Sequence, residues 1–307
     1  MCSRFLPTIV FGMVLSAGAT AAAQDIDTVV NTTNRNPSTV ADQIADPAER
    51  AAFLRLYQHR DPADMLKAAK AFLQDFPRSA FLAQAYEVAA DSSFDQHDYP
   101  AGLDFAKKSL TYLPENPQLL VAVADVQARQ NLNEEAIASA RAAEDYLDRI
   151  GRAGATPEGQ WPGTKRRLQA SANFALGRAL LQEAVNGPAG EKRIALLKES
   201  EQVLSQARTL NPEDWEIVYV LGLVRLSSGD FSAAANAFAE VYQQKGDLAP
   251  KALEHLQTIY KTLAPNSKGD FGSFIQQAVG SKMRESKQSS PEKSIVAQEM
   301  PAYAGSE

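Results

Sequence analysis

Apolar and small residues recur along this chain at the spacing of an α-helix. Between residues 103 and 113, Leu103, Ala106, Leu110 and Leu113 follow one another at intervals of three or four residues. Residues 194–210 repeat that spacing with polar residues between the apolar ones. The pattern predicts amphipathic helices, each with one face directed toward a neighbouring helix.

Several helix starts are marked by an acidic or amide residue followed by proline. At residues 46–49 (DPAE) the aspartate suits the N-cap, the proline the first helical position and the glutamate the third. Similar starts occur at Asp61-Pro62, Asn116-Pro117 and 211–214 (NPED). From these starts we predict helical hairpins at 47–77, 80–114, 117–149, 168–210 and 213–244, and a closing helix at 251–263.

One hairpin carries a motif that recurs in weaker form elsewhere. Residues 215–242 place Leu221-Gly222 in the first helix, a turn at 229–231, and Ala234 and Phe238 in the second helix. Degraded copies run over 85–114 and from residue 172. A small residue where two helices cross, then a turn, then Ala-x3-aromatic, is the layout of a helical repeat of about 34 residues.

The spacing of the prolines predicts two insertions in this repeat. Pro114 and Pro212 are 98 residues apart, which is too long for one or two units of about 34 residues. Two segments rich in glycine and proline, 151–165 and 185–191, account for the excess. We predict that both are loops.

The chain resembles the tetratricopeptide repeat (TPR) family over residues 46–263. The resemblance implies an all-α, right-handed superhelical solenoid of antiparallel helical hairpins with a concave groove for extended or helical peptides. Asn131 and Asn133 stand where the family usually has glycine and an aromatic residue, and Val218 and Arg225 also depart from the pattern. A generic helical solenoid of similar unit length is the alternative.

The inner face of each hairpin's first helix lines the groove in this family. Mapped onto this chain, the resemblance implies a partner-binding groove formed by Gln84, Glu87, Asp91, Asp95, Gln118, Val121, Asp125, Arg129, Phe174, Arg178, Glu216, Tyr219 and Leu223. The paired Lys and Asn with which the family clamps a C-terminal carboxylate are absent. In the second and third hairpins, four acids (Glu87, Asp91, Asp95 and Asp125) are opposed mainly by Arg129, which favours a basic or amine-bearing partner. The alternative is that they only keep an empty face soluble.

The N-terminus has the pattern of a secretory signal. Arg4 precedes an apolar stretch over 5–17, and small residues at 21–23 suit cleavage. An uncleaved anchor is the alternative, but the stretch is shorter than the roughly 20 residues that span a bilayer. We therefore expect residues 1–23 to be removed and the protein to be exported, either periplasmic or secreted. The polar residues 24–45 are predicted to be a flexible leader, and 264–307 a mostly disordered tail with an amphipathic piece at 271–279.

Charge and cysteine content narrow the possible functions. Cys2, the only cysteine, lies in the predicted signal, so the remaining chain has no residue for disulfides or thiolate metal sites. The full chain has a net charge of −6, and loss of Arg4 moves it to −7. A moderately acidic chain is a poor ligand for nucleic acid or anionic lipid.

No motif for catalysis or cofactor binding is present, and we predict no enzyme, no cofactor and no metal site. Asp91, Asp95 and His97 have the chemistry of metal ligands, but they precede a repeat turn, where such residues commonly cap and solvate. Trp161, in the first predicted insert, could stack on a sugar, although a lid packed on the neighbouring hairpin is the more common use of such a residue.

These features are compatible with three functions. The first is a non-catalytic exported scaffold that binds a protein or peptide in the TPR groove. The second is an accessory subunit of a cell-envelope assembly or secretion complex. The third is a protein that binds a small ligand, for example a glycan, at the Trp161 insert.

Overall fold

The computed structural model describes residues 40–149, 159–263 and 270–288, and all regular structure within them is helical. The chain divides into two compact units, Met1–Ala175 and Leu176–Glu307. Within each unit, consecutive helices pack as hairpins, which confirms the predicted all-α, TPR-like fold. Among the described residues, no helix combines the length and the hydropathy of a membrane span.

The first unit consists of three hairpins and the start of a fourth. A short 3-10 helix at Val40–Gln43 precedes α1 (Pro47–Arg55), α2 (Pro62–Asp75), α3 (Leu82–Asp95), α4 (Tyr99–Tyr112), α5 (Pro117–Arg129), α6 (Asn133–Arg149) and the beginning of α7 (Trp161–Asn186). Helix α1 packs against α2, α3 against α4, and α5 against α6; α3 also packs against α2. The pairs α1–α2, α3–α4 and α5–α6 agree with the first three predicted hairpins.

The second unit holds the end of α7 and five further helices. They are α8 (Glu191–Leu210), α9 (Trp215–Ser227), α10 (Phe231–Gln243), α11 (Ala249–Leu263) and α12 (Phe271–Gln288). Helix α10 is central, because it packs against α9, α11 and α12.

Side-chain caps begin most of these helices, as the sequence predicts. Asp46 accepts a hydrogen bond from Ala48 N at 2.8 Å, and Asn116 Oδ1 accepts one from Leu119 N at 3.1 Å. The predicted start at Asn211 is wrong by three residues. Asn211 ends α8, and the cap of α9 is Asp214, which accepts from the backbone N–H of Glu216 at 3.0 Å.

Three hairpins share one turn in which a residue adopts the left-handed conformation. The φ angles are 61° at His97, 59° at Asn131 and 84° at Gly229. In each case the next amide donates to a carbonyl five residues earlier at 2.9 Å. Asparagine tolerates positive φ better than most residues, so the departure from glycine at Asn131 leaves the turn intact.

The ordered fold begins earlier than predicted. Ala41 and Ile44, assigned to the flexible leader, are buried in the first hydrophobic core. The guanidinium of Arg50 donates to the carbonyl of Ile44 from Nε at 3.0 Å and from Nη2 at 2.7 Å. The segment around Ile44 is therefore tied to α1, and the prediction of a leader extending to residue 45 is wrong at its end.

Both predicted insert loops are shorter than expected. Residues 161–165 belong to α7, and Trp161 is only 6% exposed. Residues 185–186 also belong to α7, and α8 begins at Glu191, so only 187–190 join the two helices. The low exposure of Trp161 agrees with a packed side chain and not with an open stacking platform.

The C-terminal region contains more helix than predicted. Helix α12 covers the proposed amphipathic piece at 271–279 and continues to Gln288. Tyr260 on α11 contacts its first turn, with ring centroids 5.4 Å from Phe271 and 5.3 Å from Phe274. The predicted signal at residues 1–23, the segments 24–39, 150–158 and 264–269, and the tail beyond 288 lie outside the described residues.

Candidate partner-binding surface

Three carboxylates lie on one side of α3. Glu87, Asp91 and Asp95 follow each other at intervals of four residues, which places them along one face of the helix. All three are half-buried, as is Gln84 one turn before them. Glu87, Asp91 and Asp95 are called the α3 acidic face below. The structure thus brings together the four residues predicted for the second hairpin.

Residues from the neighbouring hairpins border the α3 acidic face. The side chain of Asn116, which caps α5, hydrogen-bonds to the carboxylate of Glu87. Tyr57 follows α1, and its pKa is raised by burial first and then by the charges of Glu87 and Asp91. The α3 acidic face therefore has neighbours from the first and third hairpins.

Burial makes these carboxylates costly to ionise. It raises the pKa of Asp91 well above its ordinary value, and the charges of Glu87 and Asp95 raise it further. Burial also raises the pKa of Glu87, against the hydrogen bond from Asn116, which lowers it. For Asp95, burial raises the pKa and His97 opposes that shift.

Within the described residues, no lysine or arginine forms an ion pair with the α3 acidic face. By contrast, Asp104 on α4 pairs with Lys108 at 2.7 Å. The described part of the chain also supplies no donor to the buried Oε1 of Gln84. The surface therefore offers hydrogen-bond acceptors and negative charge, which an ammonium or guanidinium group complements.

The third hairpin contributes less than predicted. Gln118 is half-buried, and Val121 is buried against Ala143 and Ala172. Asp125 accepts a hydrogen bond from Arg129 Nε at 2.7 Å, so its charge is already neutralised. Val121 offers little surface to a partner because it belongs to the core between hairpins.

The predicted residues of the second unit contact other side chains of that unit. Arg178 is only 3% exposed and donates to Glu216 Oε1 at 2.6 Å. Tyr219 Oη lies 3.1 Å from His255 Nε2, and Leu223 is buried. Phe174, on the part of α7 that belongs to the first unit, is buried as well. Phe174, Arg178 and Leu223 are thus interior side chains, which confines the candidate surface mainly to α3.

The possible metal ligands at the end of α3 are arranged as a turn. His97 is the left-handed residue between α3 and α4, and its Nδ1 lies 3.2 Å from Tyr99 Oη. Within the described residues, no cluster of three or more His, Cys, Asp or Glu side chains is placed to hold a metal ion.

Sequence reasoning missed Tyr57 and Asn116 as parts of the candidate surface. The Asn116-Pro117 pair indicates a helix cap, and a cap that directly follows a hairpin lies close to the first helix of that hairpin. The sequence therefore contains a signal for Asn116. No sequence signal identifies Tyr57, because it follows the last regular turn of α1.

Comparison with known proteins finds fold similarity only. No family model matches the sequence, and no curated protein matches it. Among solved structures, a MamA RS-1 double mutant is 16% identical with a TM-score of 0.47, over 65% of this chain and 96% of its own. MamA from Desulfovibrio magneticus RS-1 is 14% identical with a TM-score of 0.44, over 72% and 96%. Yeast Tom70 is 13% identical with a TM-score of 0.44, over 84% of this chain and 46% of Tom70. Since the TM-scores of these three structures are below 0.5, the fold assignment rests on the helices described above.

Proposed function

We propose that this protein is a non-catalytic scaffold that binds a protein or peptide partner, and that the α3 acidic face receives a basic segment of that partner. The observation that carries the proposal is the set of three half-buried carboxylates with no ion-pair partner among the described residues. A carboxylate held in this way is stabilised when a cation approaches it, because the attraction replaces part of the lost hydration.

The TPR-like fold supports this proposal. Stacked helical hairpins expose broad faces built from several helices, and such faces suit an extended or helical peptide. Asn116 and Tyr57, which lie next to the α3 acidic face, would border a peptide that crosses it. The predicted signal at residues 1–23 extends the proposal to a protein that acts after export, in the periplasm or outside the cell.

The two other functions have less support. An accessory subunit of a cell-envelope complex would bind its neighbours through the same hairpins. It differs from a scaffold with a transient partner because its complex is stable. Native mass spectrometry of the protein purified from its host separates the two, since a stoichiometric co-purifying complex indicates the subunit. Ligand binding at Trp161 is disfavoured because the indole is 6% exposed and begins a helix.

Binding of a basic peptide to the full chain tests the proposal. The probe is a fluorescein-labelled peptide of alternating lysine and alanine, compared by fluorescence anisotropy with the same peptide acetylated on every lysine. We expect the charged peptide to bind and the acetylated one to bind at least tenfold more weakly. Each contact should contribute about 0–1 kcal/mol and weaken as salt rises.

Two triple variants locate the site. The first, Glu87→Gln, Asp91→Asn and Asp95→Asn, neutralises the α3 acidic face without adding bulk. The second, Asp75→Asn, Glu115→Gln and Glu135→Gln, makes the same change in net charge at exposed positions. Only the first should lose the peptide. Equal loss in both variants indicates attraction to net charge alone, and equal retention places the binding surface elsewhere; either result overturns the proposal.

A further inference from the structure

His255 of α11 packs into an aromatic cluster with side chains of α9 and α10. Its imidazole is stacked on Phe238, with centroids 4.6 Å apart and planes 17° from parallel. Its Nε2 lies 3.1 Å from Tyr219 Oη, and the ring of Tyr219 meets Phe238 edge-on at 5.6 Å. One titratable ring therefore joins three helices of the second unit.

The ring of Phe238 is also held in place by α9. Phe238 is completely buried, and a Cβ built on Gly222 would lie 2.7 Å from its Cε1. The ring therefore fills the space that the glycine leaves on α9, and it has little freedom to follow a displaced imidazole. A change at His255 is transmitted directly to how α11 sits on α9 and α10.

Few charged groups face His255. Helix α9 presents Tyr219, and α10 presents Phe238 with Tyr242 one turn further along. The acids of α9 and α10, Glu216 and Glu240, form ion pairs with Arg178 and Arg208. On α11 the adjacent Glu254 acts on the imidazole, with Lys251 one turn before it. The side chains described for α12 have no ionisable group.

The environment favours the neutral imidazole. Burial lowers the pKa of His255, and the charge of Glu254 opposes that shift without cancelling it. An unfolded chain titrates its histidines near pH 6.5. Because the folded pKa lies below the unfolded one, the stabilisation is fully present above about pH 6.5 and is lost as the pH falls through the folded value.

We propose that His255 makes the packing of α11 against α9 and α10 sensitive to acid, so that this part of the second unit loosens when the imidazole gains a proton. The charge would enter a half-buried site bounded by two aromatic rings. Only Glu254 and the polar end of Tyr219 would compensate it. This acid sensitivity does not depend on the α3 acidic face.

The test compares three full-length proteins between pH 8 and pH 5: wild type, His255→Phe and His59→Gln. Phenylalanine keeps a flat ring against Phe238 and has no proton to gain. His59→Gln removes an exposed imidazole and is the matched control. We expect acidification to lower the melting temperature of wild type and His59→Gln by several degrees more than that of His255→Phe.

Two further measurements keep the outcome clear if a variant folds poorly. Histidine resonances in NMR of the wild type, with His255 assigned from His255→Gln, should place its titration below about pH 6.5. Amide hydrogen exchange, corrected for its intrinsic pH dependence, should accelerate in α11 on acidification. A titration of His255 at or above pH 6.5, or the same pH dependence in wild type and His255→Phe, overturns the proposal.

Discussion

The hairpins α3–α4 and α9–α10 each pack an aromatic ring against a glycine. The helix that supplies the ring and the helix that supplies the glycine are exchanged between the two hairpins. In α9–α10 the glycine is on the first helix and the ring on the second, so that Phe238 fills the space beside Gly222. In α3–α4 the ring comes from the first helix, and Phe94 fills the space beside Gly102 on the second. The two helices approach closely in both hairpins because one of them lacks a Cβ.

This exchange shows that the hairpin requires a complementary pair and not a fixed order of residues. A ring occupies the volume of a missing side chain equally well from either helix, provided that the core remains filled. A motif written as a sequence of positions recognises only one of the two arrangements. For that reason residues 215–242 are easily identified as a repeat, whereas 85–114 read as a degraded copy of it.

The exposed sides of the two first helices differ more than their cores. Counting from the shared turn, the positions of Glu87 and Asp91 on α3 correspond to Tyr219 and Leu223 on α9. Acids at these positions leave α3 with an acidic face, whereas Tyr219 and Leu223 direct α9 into contacts with its neighbours. One backbone arrangement thus supports a candidate binding surface in the first unit and a packed interior in the second.

Removal of the two rings should have unequal effects. Phe238→Ala should destabilise the protein by about 3–5 kcal/mol, because the ring is completely buried and its loss leaves a cavity. Phe94→Ala should cost less, since Phe94 is only half-buried. Urea unfolding followed by circular dichroism measures both. A larger loss for Phe94→Ala would mean that the first hairpin depends more on its ring, contrary to the burial of the two side chains.

Filling the glycine positions should harm both hairpins. Gly222→Ala and Gly102→Ala each place a methyl group against an aromatic ring and should cost about 1–3 kcal/mol. Gly163→Ala is the control, because a Cβ at that helical position meets no atom within 4 Å. That change should stabilise the helix by about 0.5–1 kcal/mol. If Gly102→Ala behaves like Gly163→Ala, the proposed equivalence of the two hairpins is wrong.

The helices were predictable because they depend on local signals. Aspartate and asparagine caps and apolar spacing place the first three hairpins correctly. The failures arise where tertiary packing decides the structure. Ile44 becomes ordered through its contact with Arg50, and Trp161 begins a helix because burial of its indole outweighs the loop-forming residues nearby. Neither contact has a signal in the adjacent sequence.

The candidate site was predictable only in part, for a related reason. Periodicity correctly puts Glu87, Asp91 and Asp95 on one face. Periodicity does not distinguish a residue facing solvent from one covered by the next hairpin, and the buried Val121 lies at such a covered position. The pairing of Asp125 with Arg129 follows from their spacing of four residues, but its effect on the partner surface required the structure.

The α3 acidic face should also make the stability of the first unit depend on pH. The position on α9 that corresponds to Asp91 is Leu223, which has no titratable group. Burial raises the pKa of Asp91, so the folded state retains its proton to higher pH than the unfolded state. Stability from this group is therefore present at low pH and is lost as the pH rises through the folded value. Asp91→Asn should remove that loss, so the variant should be more stable than wild type at pH 8.

Chemical unfolding at pH 5 and pH 8 checks this expectation. The exposed Asp104→Asn serves as the control, and it should leave the difference between the two pH values unchanged. An Asp91→Asn variant with the same pH difference as wild type would show that Asp91 is solvated.

The smallest expected effect comes from the turn that the hairpins share. His97 holds a φ of 61° where Gly229 holds 84°, and a side chain in this conformation costs about 1–2 kcal/mol. His97→Gly relieves that strain but gives the unfolded chain more freedom, at a cost of about 0.4–1 kcal/mol. It also loses the exposed contact with Tyr99. A net stabilisation of about 0.5 kcal/mol should remain.

Asn131→Gly should gain less, because asparagine already tolerates positive φ. Melting temperatures of the two variants, measured side by side, test this order. An equal gain at both turns would show that the turn geometry, and not the identity of the left-handed residue, sets the strain.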